Sequence, residues 1–115
     1  MSGDSRDEPW YSVRCLIHFP DPDPGRTAVY EERITLWRAA RSDEAIARAE
    51  AEAEEFAADV NGEYLGFAQA YHLAVEGEVG DATEVFSLLR DSSLEPDEYI
   101  DRFFVTGAER ERHTD

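Results

Sequence analysis

The stretch from Ser42 to Gly62 constrains the fold more than any other part of the chain. Within it Ala45, Ile46, Ala49, Ala53, Phe56, Ala57 and Val60 recur at spacings of three and four, the period of one helix face. A helix whose buried stripe is mostly alanine brings little apolar surface of its own, but its narrow face can lie close against a sheet. Ser42 is the expected N-cap, Asp43 and Glu44 fall where the helix dipole favours negative charge, and Asn61-Gly62 is the expected stop. The predicted helix therefore spans 42–59, with Glu50, Glu52, Glu54 and Glu55 on the face turned away from the sheet.

Strand patterns flank this helix. Residues 10–19 alternate, with Tyr11, Val13, Cys15, Ile17 and Phe19 on one side and Ser12, Arg14, Leu16 and His18 on the other. Pro20-Asp21-Pro22-Asp23-Pro24-Gly25-Arg26 cannot supply a normal backbone ladder and reads as a stiff exposed loop. A second strand is expected from about Ala28 to Arg38. If the loop closes a hairpin with Phe19 near Ala28, Val13, Cys15 and Ile17 lie beside Ile34, Glu32 and Tyr30, so that two apolar sets coincide.

After the helix, Tyr64 to Ala74 alternates large and small residues, and the small ones are expected to face the alanine stripe. A turn around Glu76–Asp81 leads to a fourth expected strand at about Thr83–Leu89. Glu95-Pro96-Asp97-Glu98 opens a short second helix whose apolar side is Ile100, Phe103 and Phe104, with Gly107 as its stop. The expected architecture is a two-layer α+β domain. Its four-stranded antiparallel sheet follows the order strand-strand-helix-strand-strand-helix, with the long helix on one face. The domain is expected over 10–107, between disordered segments at 1–9 and 108–115.

The combination of Trp10-Tyr11-Ser12-Val13-Arg14, Tyr30-Glu31-Glu32-Arg33-Ile34, Glu44-Ala45-Ile46-Ala47-Arg48-Ala49-Glu50, Tyr64-Leu65-Gly66 and Glu84-Val85-Phe86-Ser87 resembles the domain of unknown function family 4288, short uncharacterised bacterial proteins. The resemblance covers about 10–107 and rests on strand and helix patterns. It implies an α+β fold and a bacterial origin, and it brings no catalytic or binding residues with it.

Charge and composition narrow the functional classes. There are 27 acidic residues against 11 basic ones, every one of them arginine, and the formal net charge is −16. That excess argues against direct contact with nucleic acid, which needs cationic patches to displace counterions. No apolar run reaches the length of a membrane span, no basic-then-apolar leader opens the chain, and the single cysteine, Cys15, cannot form an internal disulfide. The expected compartment is the cytoplasm.

No reactive signature stands out. Asp21-x-Asp23-x-Gly25 with Glu32 at the twelfth place imitates a calcium loop, but Arg26 stands where glycine is needed and prolines stiffen the ligand positions. His18, His72 and His113 lack zinc spacing, so neither metal nor cofactor is expected. Cys15 reads as a small core residue. Glu32, placed on the apolar face by the hairpin register above, is a candidate general base unless an arginine such as Arg48 or Arg90 pairs with it.

The leading reading is a small acidic binding or regulatory module that meets a basic protein through Glu50, Glu52, Glu54 and Glu55. The alternative is a small enzyme or ligand-binding domain with a cleft between the sheet and the C-terminal helix, using Glu32, His72, Arg14 and Arg33. Apolar residues fall on both sheet faces. The uncovered face requires either the second helix or a second copy of the chain, and a homodimer is predicted.

Overall fold

A computed structural model of the chain describes residues 8–20, 28–75 and 77–104. The alternating segments form β1 (Trp10–Phe19), β2 (Val29–Arg38) and β3 (Glu63–His72); the helices are α1 (Ser42–Asp59) and α2 (Pro96–Phe103). The strands make one antiparallel sheet in the order β2-β1-β3, so the most apolar strand is central. α1 crosses one face of this sheet and packs on all three strands. Most of the proline-rich loop, at 21–27, and most of both terminal segments lie outside the described residues.

The architecture is α+β, but the expected fourth strand does not form and the predicted element order fails with it. Thr83–Leu89 joins no strand. The consecutive Leu88 and Leu89 break its alternation, and its attachments are made by side chains instead of a backbone ladder. The Tyr71 hydroxyl donates to Glu84, the Phe86 ring lies 5.8 Å from that of Tyr71, and the Arg14 guanidinium sits 4.9 Å above Phe86. Gly77, upstream, accepts hydrogen bonds from Trp10 Nε1 and Arg38 Nη2, each at 3.0 Å. Trp10, Arg14 and Arg38 point away from α1, so the chain between 77 and 86 runs across part of the second sheet face. Ser12, on that same face, is 1% exposed.

The hairpin register also differs from the expected one. Phe19 pairs with Val29 rather than Ala28, which sets Val13 opposite Thr35, Cys15 opposite Arg33 and Ile17 opposite Glu31. A one-residue slip exchanges the two faces of a strand. Arg33, Thr35 and Trp37 therefore share the α1 side with Val13, Cys15 and Ile17, whereas Tyr30, Glu32, Ile34 and Leu36 face outward with Arg14 and Leu16. The inward polar groups are satisfied. Arg33 binds Glu52 and stacks 3.9 Å from Phe56, and Trp37 donates to Thr35 Oγ1 at 2.7 Å.

The core follows from the alanine stripe. Ala45, Ala49, Ala53 and Ala57 are buried against Tyr11, Val13, Cys15 and Ile17, with Ala68 and Ala70 of β3 packed beside them. The expected small-on-small contact of β3 is present. Arg41, not Ser42, occupies the N-cap position; it makes no side-chain capping bond, and Glu44 Oε1 instead accepts from the Ala40 N–H at 3.0 Å. At the other end Asn61 adopts φ 60°, and the Gly62 N–H donates to Ala57 O at 2.8 Å, the bond pattern of a Schellman stop.

Gly62 is required for packing. A Cβ there would lie 2.9 Å from Phe19 Cε1 and 3.0 Å from Ile17 Cγ2, and Ile17 is fully buried. Gly62→Ala is expected to lower stability by about 1–3 kcal/mol, the usual cost of overpacking a core. Gly80→Ala, where nothing lies within 4 Å, serves as the control. Urea denaturation that finds the two variants equally stable would refute this account of the helix stop.

Candidate functional site

The sequence-predicted residues do not gather in one place. Arg14 and Glu32 meet on the outward sheet face, Nη1 to Oε1 at 3.3 Å, with Arg14 also donating to Gln69. Glu32 is thus opposite Leu16 and largely solvated, at 66% side-chain exposure, and not on the apolar inner face beside Cys15. The shifted hairpin register is the reason. Its arginine partner is Arg14, neither Arg48 nor Arg90: Arg48 donates to Arg38 O and stacks over Trp37, while Arg90 lies over Phe103.

Arg33 lies on the opposite face from Arg14. His72 is at one end of β3, opposite Tyr11 with ring centroids 5.1 Å apart, and is exposed. His18 stands at the other end, opposite Glu63, its Nδ1 2.6 Å from Glu63 Oε1. Seven strand positions, roughly 20 Å, separate the two histidines. Among the described residues no three His, Cys, Asp or Glu side chains come together as a metal cage. α2 contributes no buried residue and does not pack extensively on the sheet.

Glu50, Glu52, Glu54 and Glu55 of α1 divide into two pairs. Glu52 takes both Arg33 Nη atoms, at 2.5 and 2.9 Å, on the β2 side of the helix. Glu50 accepts from the Tyr64 hydroxyl at 2.5 Å on the β3 side. These two carboxylates tie α1 to the sheet along both edges of the alanine stripe. Glu54 and Glu55 stay exposed. Sequence periodicity groups all four together because it shows the helix face but not which residues of neighbouring strands reach its borders.

Beside the Glu50–Tyr64 tie lies an open groove of about 650 Å³ between the C-terminal half of α1 and the start of β3. Glu50, Glu54 and Glu63 line it together with Tyr64 and Leu65. The tripeptide Glu63-Tyr64-Leu65 was not singled out for chemistry by its sequence; the signal is its position directly after the helix stop, which folds it back along α1. Gly66, at φ 77°, lies opposite the register shift between Cys15 and Ile17 and ends this wall.

The site's electrostatics follow from these contacts. The Arg33 hydrogen bond holds the Glu52 carboxyl below its usual range, with partial burial opposing it. Burial, followed by the Glu50 hydrogen bond, pushes the Tyr64 phenol above its ordinary range. Cys15, 3% exposed beneath α1, is pushed up by burial against a smaller opposing hydrogen bond with Tyr64. Such a thiol is a protonated core group. No family model, no curated protein and no solved structure matches the chain.

Two measurements test this picture. Native Cys15 is expected to react with a thiol reagent far more slowly than the urea-unfolded chain, because access requires α1 to lift; equal rates would show that the helix does not seal the strand. The Arg33–Glu52 pair has a depressed carboxylate in the folded state, so its stabilisation is present above the ordinary glutamate value and is lost as pH falls through the folded one. The Tm difference between wild type and Glu52→Gln should therefore narrow below about pH 4.5, the ordinary value. A gap constant down to about pH 3 would remove the pair as a source of acid sensitivity.

Proposed function

We propose that this chain is an acidic binding module that takes a basic, extended protein segment in the groove between α1 and β3. The observation that carries the reading is the position of Glu54. It is exposed, makes no tie to the sheet, and shares the groove with Glu50 and Glu63. Carboxylates around a shallow groove favour a guanidinium or ammonium group whose stem lies on Tyr64 and Leu65. Among the described residues no strand pairs with the outer edge of β3, which leaves backbone donors and acceptors beside the groove for an extended partner.

The rest of the acid surface serves encounter more than specificity. A net charge of −16 steers a cationic partner toward the molecule and weakens with salt. Glu55, next to Glu54 on the outward face of α1, belongs to this steering surface; Glu50 and Glu52 are committed to the fold. No helix among the described residues is long and apolar enough to cross a membrane. A reducing cytoplasmic setting suits a free, buried Cys15. The reading includes self-association as a homodimer.

Fluorescence anisotropy with a labelled peptide of alternating Arg and Val tests the groove. Binding should weaken as salt rises, and Glu54→Arg should weaken it at least about tenfold, the effect of ~1.4 kcal/mol. Asp91→Arg makes the same change in net charge away from the groove and should cost less than about twofold. Equal losses in the two variants would leave only a diffuse charge effect and sink the proposal.

A further inference from the structure

The outward sheet face and the C-terminal arm each carry exposed apolar residues. On the sheet, Tyr30, Ile34 and Leu36 of β2 are 59%, 44% and 38% exposed, beyond the strip covered by residues 77–86. On the arm, Leu88 and Leu89 are 50% and 93% exposed, and α2 leaves Ile100, Phe103 and Phe104 at 46%, 37% and 61%. α2 is well built as a helix, with Pro96 in its first turn and the Glu98 carboxylate accepting from the Glu95 N–H. Yet none of its residues is buried.

We propose that these two surfaces meet across a two-fold axis, the arm of each copy packing on the β2 half of the other copy's outward sheet face. This deepens the self-association proposed above and is independent of the groove. Three observations favour a second copy as the occupant. The first is charge. A chain at −16 repels its own kind, and the β2 half of the outward face adds little to that repulsion. Its cations Arg14 and Arg38 face Glu32 and Glu78, at 3.3 and 3.9 Å, so the charges of this half offset one another. Contact there also turns the acidic α1 helices outward, about 30 Å or more apart, several times the ~8 Å screening length at physiological salt.

The second observation is area. The three β2 residues and five arm residues, at roughly 100 Å² of exposed surface each, approach the ~800 Å² per partner of a stable interface. The third is reciprocity. Each chain carries one arm and one receiving face, so a closed pair leaves neither surface unused, as a two-fold interface requires.

Multi-angle light scattering of the full chain at about 50 µM tests the proposal. Wild type should run as a dimer of about 26 kDa, twice the 13.0 kDa chain. Ile34→Glu on the face and Ile100→Glu on the arm should each be monomeric, with far-ultraviolet circular dichroism and Cys15 protection unchanged. An equimolar mixture of the two variants should recover part of the dimer, since one intact arm then meets one intact face. Leu89→Ser, at the most exposed position of the arm, stands in if Ile100→Glu fails to fold. A monomeric wild type, or a dimer that survives both face and arm substitutions, would overturn the proposal. A monomer that Ile34→Glu destabilises would assign the face to the chain's own arm, which also overturns it. None of these outcomes bears on peptide binding, which Glu54→Arg reads separately.

Discussion

The close approach of α1 to β1 is the contact on which the rest of this structure depends. Four alanines at successive turns replace the larger side chains that usually separate a helix from a sheet, and Val13 and Ile17 fill the space beneath with no exposed surface. The arrangement is tight but buries little hydrocarbon per turn, and burial stabilises by only about 25 cal/mol per Å². The borders of the stripe must contribute more. Arg33 with Glu52 and Phe56 does so toward β2, and Tyr64 with Glu50 does so toward β3. Both ties are partly solvated, so each acts more by fixing the helix's position than through a large net energy.

That dependence explains which parts of the fold were legible in the chain itself. The α1 stripe, the inward face of β1 and the small residues of β3 all obey local periodicity, and packing agreed with it. β2 was not legible in this way, because both of its residue sets are mixed. Tyr30, Ile34 and Leu36 include Glu32, and Thr35 and Trp37 include Arg33. Apolar content favours the first set for the core. The tertiary partners of Arg33 favour the second, and those partners lie on a helix that a strand pattern does not see. The misplacement of Glu32 follows directly, since one residue of register decides whether a carboxylate is buried or solvated.

The missing fourth strand has a different cause. Thr83–Leu89 has strand-like composition, yet its contacts are an aromatic pair, a hydroxyl–carboxylate bond and a guanidinium over a ring. These bind it to the sheet's face, not its edge. Sequence alternation reports that a segment can extend but says nothing about whether its backbone finds a partner. The groove was hidden for a related reason: its walls come from two elements, and only the helix stop brings Glu63 and Glu54 to the same side.

The two faces of the sheet consequently differ in how they are held. The α1 face is sealed by side chains that interlock over eighteen residues of helix, whereas the other face is crossed by a segment anchored at a few side chains. Local opening costs least where few buried contacts must be broken. The segment from 77 to 104 can therefore release the outward face while α1, Cys15 and the Glu50–Tyr64 tie stay in place. One small domain thus carries an acidic groove on one side and exposed apolar residues on the other. The binding proposed at the groove relies on a rigid α1, and the association proposed at the outward face relies on the arm; the alanine-sealed core keeps the two requirements from competing.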